Sequence, residues 1–266
     1  MKRLLVIVVS SLFVLSCENN NSELQDGTNE NVSSFKEIGS ITIGSTGAAE
    51  ISAYDEVTKR LFTVNNAGTN RIDVIDLSNP SSPILIKSID LTAYNGASNS
   101  VATFNGKLAV ALEATPVKQN PGKVLVFDTS SYSLLKEIVV GALPDMITFS
   151  PDGKYILTAN EGEPSDDYSS DPEGSISIID LNNNYAVTNL NLSGFSNQLA
   201  TLRTKGFRIS SPTNNFVNDI EPEYITISSD SKTAWVTLQE NNGVAKIDLI
   251  TKQITNLFPL GFKDYN

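Results

Sequence analysis

Histidine is missing from this sequence, and cysteine occurs once, at Cys17. Without an imidazole or a second thiol, the chain can form no internal disulfide, no Ser/His or Cys/His nucleophile pair, and no nitrogen or sulfur ligand set for zinc, copper or haem iron. Metal ligation is left to oxygen, which suits calcium or magnesium. Basic residues are also scarce: 19 Lys and Arg against 30 Asp and Glu give a formal net charge of −11. So acidic a chain is a poor partner for nucleic acid. Long hydrophobic runs are confined to one place, Leu4–Leu15, and its twelve residues are too few to span a bilayer.

That run follows Lys2 and Arg3 and ends in Val14-Leu15-Ser16-Cys17, the layout of an export signal. The placement of the cysteine resembles a bacterial lipobox, so residues 1–16 are expected to be a lipoprotein signal peptide and Cys17 the lipidated N-terminus. An ordinary secretory signal is the plainer alternative. Cleavage removes two bases and no acid, which moves the net charge from −11 to −13. Residues 17–34 then turn to Asn, Ser, Glu and Gly, a composition that reads as a flexible tether to the membrane. At 266 residues with 40% hydrophobic content, the remainder can bury a sizeable core.

The stretch Asp145 to Leu181, DMITFSPDGKYILTANEGEPSDDYSSDPEGSISIIDL, organises the rest. Two strand patterns flank a Pro-Asp-Gly turn, and a third strand, SISIIDL, follows a long acidic loop. The same phrase recurs at Arg60–Leu77, Lys107–Thr129 and Thr233–Leu249. Its closing acids Asp76, Asp128 and Asp180 lie 52 residues apart, and Asp248 follows after 68. Each phrase has a strand before it and another after it. Four antiparallel strands per repeat, at a period somewhat above 40 residues, is the signature of β-propeller blades. The expected fold is therefore all-β, with blades at about 45–92, 98–140, 144–193 and 220–260 and an insertion at 194–219. Leu199 and Leu202 in that insertion are spaced for a short helix stopped by Gly206. Ile38–Ile43 reads as an unmatched outer strand. Four blades and one spare strand imply an open arc whose end faces, with Ile51, Val64, Trp235 and Val244, are partly uncovered, and a chain that continues or pairs.

In a propeller, the loop between strands two and three opens on the same face as the loop entering the next blade. The first kind supplies Glu113, Glu161, Glu163, Asp166, Asp167 and Glu240. The second supplies Glu50, Asp145, Asp219, Glu221 and Glu223. Crowded carboxylates repel unless a cation or water separates them. The candidate metal ligands are Glu113, Glu161, Glu163, Asp166, Asp167, Glu221 and Glu223, with calcium as the ion. No loop matches an EF-hand, and a solvated acidic rim or a cationic organic or protein ligand are the other readings. The closing acids Asp76, Asp128, Asp180 and Asp248 suit turn or blade-to-blade hydrogen bonds better than catalysis, because a structural role predicts their repetition.

The run LPDMITFSPDGKYILTANEGEPSDDYSSDPEGSISIIDL, with NDIEPEYITIS and the closing GFKDY, closely resembles the bacterial choice-of-anchor I proteins, relatives of the YVTN surface-layer propellers. The resemblance implies a secreted or surface-anchored propeller and, for members labelled alkaline phosphatase-like, a phosphoesterase activity. Family chains continue with further blades where this one stops. Two functional classes follow. The first is an envelope-anchored propeller that binds a protein or small-molecule ligand or acts as a scaffold, located at the outer membrane or cell surface. The alternative is a calcium-dependent, phytase-like phosphoesterase, which needs Lys or Arg near the metal to hold phosphate oxygens. Lys118 and Lys123 are the cations its loops offer. No catalytic residue is assignable, and haem or quinone chemistry suits a chain without histidine least.

Overall fold

The computed structural model describes residues 32–45, 48–210 and 215–264. The expected signal peptide, the expected lipidation at Cys17 and most of the expected tether lie outside the described residues. The chain divides into two units, Met1–Glu37 and Ile38–Asn266. The described part of the first holds one 3-10 turn, Val32–Ser34.

Four four-stranded antiparallel sheets follow, each with its strands in sequence order. The first is β1 (Ala48–Asp55), β2 (Arg60–Asn65), β3 (Arg71–Asp76) and β4 (Ile84–Asp90). The second is β5 (Ser98–Phe104), β6 (Lys107–Leu112), β7 (Pro121–Asp128) and β8 (Leu134–Ala142). The third is β9 (Pro144–Phe149), β10 (Tyr155–Asn160), β11 (Ser175–Asp180) and β12 (Ala186–Asn191). The fourth is β13 (Pro222–Ile227), β14 (Thr233–Leu238), β15 (Gly243–Asp248) and β16 (Gln253–Pro259). In the insertion, a 3-10 turn at Ser193–Gln198 leads into one short helix, α1 (Leu199–Thr204), which buries Leu202.

Turn chemistry sets the hairpins. Ser150 Oγ donates to Asp152 Oδ1 at 2.7 Å and accepts from Tyr155 N at 3.0 Å, with Gly153 at φ +68°. The fourth sheet repeats this turn with Ser228, Asp230 and Thr233, and Ser231 takes the left-handed place of the glycine at φ 58°. The closing acids act as turn caps: Asp76, Asp128, Asp180 and Asp248 each accept from a backbone N–H two residues on.

Strand alternation places every second side chain on one face of a blade. In β10 and β11, Leu157, Ala159, Ile176 and Ile178 face the fourth sheet and meet Ala234, Val236, Leu238, Ala245 and Ile247. The opposite parity, Ile156 and Ile179, meets Ala109, Ala111, Val124 and Val126 of the second sheet. Phe62, Val64, Ile72 and Val74 of the first sheet meet Leu108, Val110, Leu112, Leu125 and Phe127 of the second. Three apolar layers thus join consecutive sheets, and among the described residues none joins the fourth to the first, so the arc they form is open.

Two expectations about the ends of the arc change. Val64 belongs to the layer between sheets one and two and is buried, because its parity is that of Phe62. The parity of the first sheet that faces away from the second is instead Leu61, Thr63 and Asn65 with Asp73 and Ile75, and all of these but the half-buried Leu61 are buried. Ile38–Ile43 forms no strand. Gly39 sits against Pro80 and Ser81 at the β3–β4 turn, and Ile43 O accepts from Asn65 Nδ2 at 2.9 Å and Arg71 Nη2 at 3.4 Å. The segment follows the first sheet without entering a ladder.

Candidate functional site

The β2–β3 type of loop does meet the loop entering the next sheet. Asn66 Nδ2 donates to Ser98 O at 2.8 Å, and Asn70 also bonds Gly96 O. At the third and fourth sheets the junction needs a glycine. A Cβ on Gly174 would overlap Ile220 O and crowd Pro222, so the end of the β10–β11 loop lies flush with the entry to β13. This brings the carboxylates of both loops into one region.

Glu161, Glu163, Tyr168, Asp171, Asp219, Glu221 and Glu240 line a cleft of about 290 Å³ at this junction. Burial pushes the Glu161 carboxyl up to about 8, and Glu223, Asp145, Glu163 and Glu221 add to the rise by repulsion. Glu221 rises to about 7 through burial, then through Glu240 and Asp219. Glu223 and Asp145 are also raised, each first by burial. Glu113 at the second sheet is raised by burial and by Asp145 and Glu163, against the opposing pull of Asn99 and Lys118. Lys118 bonds the Glu163 carboxylate, which raises the ammonium above its ordinary value.

The sequence-chosen acids therefore separate. Glu161, Glu163, Glu221 and Glu223 share the region between sheets three and four, and Glu113 reaches it through Glu163 and Asp145. Asp166 is exposed and borders a shallow hollow with Glu113 and Lys118. Asp167 turns away: its carboxylate accepts from Ser169 N at 3.0 Å and Ser165 Oγ at 2.9 Å, and the bond from Ser169 holds it down at about 2. Glu50 is exposed on β1 and is not among the groups that act on these acids. Among the described residues, no group of three or more acidic side chains is preassembled around a metal position.

Asn241 was not singled out as a site residue. It is fully buried, its Nδ2 donating to Asp219 O at 2.7 Å and to Arg208 O at 3.2 Å, and its Oδ1 accepting from Glu221 N at 3.2 Å. It ties the insertion, Asp219 and the Glu221 backbone into one frame. The signal for it was slight: an Asn-Asn-Gly run that reads first as a turn. The remaining cations are engaged elsewhere, Lys123 with Glu137 at 2.7 Å and Arg208 with Gln239 O at 3.3 Å.

Four-stranded antiparallel sheets packed face to face in succession define the blades of a β-propeller. The solved structures similar to it include Kuenenia stuttgartiensis hydrazine synthase, with TM-score 0.52 and 15% identity over 80% of this chain and 75% of that one. The Cps50 (Swd1) β-propeller domain of Myceliophteria thermophila gives TM-score 0.50 and 11% identity over 80% of this chain and 55% of that one. Apo AztD from Citrobacter koseri gives 0.50 and 13% over 83% and 49%. The chain spans about half the length of the last two, and at these identities the likeness is one of fold alone. No curated protein matches the sequence. The family does: the choice-of-anchor I domain model matches residues 50–266, and the chain belongs to that family. It is a β-propeller module of a bacterial surface or secreted protein.

Proposed function

We propose that this propeller is a ligand-binding module held at the cell envelope by a lipid on Cys17, and that its acidic cleft takes up a cation, with calcium as the ion. The observation that carries this is the imbalance of charge at the junction of sheets three and four. Glu113, Asp145, Glu161, Glu163, Glu221, Glu223 and Glu240 act on one another there, and Lys118 is the cation among the groups acting on Glu113. Raised carboxyls at about 8 and about 7 mean that, at neutral pH, protons do part of the neutralising that a cation would do. A hard dication with flexible oxygen coordination fits such a set, and Asp219 and Asn241 supply a firm backing on one side.

Because the acids are not preassembled, they must close in on the ion and shed protons to do so. The affinity expected is that of extracellular modules, with Kd on the order of 10⁻⁴–10⁻³ M. Calorimetric titration of calcium into the chelator-treated full chain, repeated in buffers of different ionisation enthalpy, tests the reading. Saturable binding with proton release supports it, and absence of heat at millimolar calcium overturns it. Incorporation of a palmitate analogue, abolished by Cys17→Ala, tests the anchor.

The phosphoesterase reading gains no support from the arrangement. Lys118 and Lys123, the two cations it would use, are paired with Glu163 and Glu137.

A further inference from the structure

Away from the acidic cleft, hairpin turns at the other ends of the strands enclose a second hollow. The β1–β2, β5–β6 and β9–β10 turns contribute to it, and its volume of about 660 Å³ is that of a small-molecule site. It shares no residue with the cleft. Its walls are fixed. Thr103 Oγ1 donates to Tyr54 O at 2.8 Å and so joins β5 to β1. Phe104 stacks on Phe149 at 5.8 Å between ring centroids, and Gly153 lies so close that a Cβ there would overlap the Phe104 ring.

These walls offer apolar surface beside unmatched negative charge. Tyr54 is 46% exposed and Val57 70%. Asp55 is only 3% exposed; its Oδ2 accepts from Thr58 Oγ1 at 2.6 Å, and among the described residues no Lys or Arg pairs with it. Glu56, exposed beside it, has no ion pair either. The third acid, Asp152, is already matched by Lys154 Nζ at 2.9 Å and by its own turn. Lys59, on the same turn as Glu56, does not line the hollow. A carboxylate taken out of water without a countercharge is costly, and a ligand that brings the charge relieves that cost.

The charge of these walls disfavours an anion. A bare metal ion is poorly served as well, because the aromatic and aliphatic walls supply it no oxygen. We propose that this hollow binds an organic ammonium ion, its charged head between Asp55 and Glu56 and over the Tyr54 ring, its carbon portion against Val57 and Phe104. Carboxylates meet the charge, and an aromatic face attracts a cation that is weakly hydrated. This site does not depend on calcium in the cleft, which lies at the opposite ends of the strands.

Calorimetric titration of the full chain in excess calcium, with choline and separately with putrescine, tests the proposal. Saturable binding of one equivalent of at least one amine is expected, and the neutral carbon isostere of choline should not bind. Tyr54→Ala and Glu56→Gln, both at exposed positions, should each weaken binding by about threefold or more while leaving the circular dichroism spectrum unchanged. Preference for choline identifies a quaternary head and preference for putrescine a primary one, and either supports the site. Four results would each overturn it: no binding of either amine at millimolar concentration, equal binding of the neutral isostere, indifference to both substitutions, or loss of binding in Glu161→Gln, which would move the amine to the cleft.

Discussion

The third and fourth sheets share a strand order, a Ser-x-Asp turn and a capping aspartate, and they differ in what their following faces meet. The third presents Leu157, Ala159, Ile176 and Ile178, all fully buried against the fourth. At the same places the fourth presents Trp235, Thr237, Val244 and Lys246, which no sheet among the described residues covers. The comparison teaches that in a repeat fold the ladder is set by pattern and turn, while the state of each interface is written in one parity of each strand. A medium-sized aliphatic at that parity marks a sealed blade face. An aromatic beside a lysine marks a face that meets something else or solvent.

The largest expected effect falls on the sealed side. Leu157→Ala leaves a cavity between sheets three and four and should cost about 2–5 kcal/mol, whereas Trp235→Ala on the open side should cost less than about 1 kcal/mol in the single chain. Equal losses in urea unfolding of the two variants would break the comparison. Gly174→Ala forces a Cβ onto Ile220 O at the same seam, and about 1–3 kcal/mol of destabilisation is expected. Asn241→Ala strands the Glu221 N–H and Asp219, for about 1–3 kcal/mol, and should weaken calcium uptake as well.

Acidity sharpens the comparison from another direction. Glu161 and Glu221 have folded pKa values above those of the unfolded chain, so the folded state binds more protons between about 4.5 and 8. Stability from these groups is therefore present at low pH and declines as pH rises through that window. Thermal melts of wild type should fall from pH 5 to pH 8, and Glu161→Gln should flatten the slope. The smallest effect belongs to Asp167→Asn. Its carboxylate is exposed and bonded within its own turn, so stability should change least among these variants and calcium uptake should be unchanged.

Much of the fold was legible because a propeller repeats itself. The spacing of Asp76, Asp128 and Asp180, the Pro-Asp-Gly turn and the strand alternation are local signals that agree with one another. Alternation gives two faces, but it does not say which neighbour each will meet, and Val64 was assigned to the wrong one for that reason. Ile38–Ile43 has a strand's alternation, yet a strand exists only with a ladder partner, which the described chain does not provide. The site divided along the same line. Glu161 and Glu221 converge because their loops are drawn together at Gly174, and Asp167, six residues from Glu161, has its carboxylate taken up by its own turn. A density of acids in sequence does not distinguish those two fates.

The row of sheets also has a mechanical character. Three apolar layers connect four rigid plates in series, so a load applied along the row passes undivided through every layer. The layer between the third and fourth plates has crowded carboxylates at one rim, and deprotonation sets them against each other. Raising the pH therefore loosens that joint, and a dication bridging its rim would act there as a rivet.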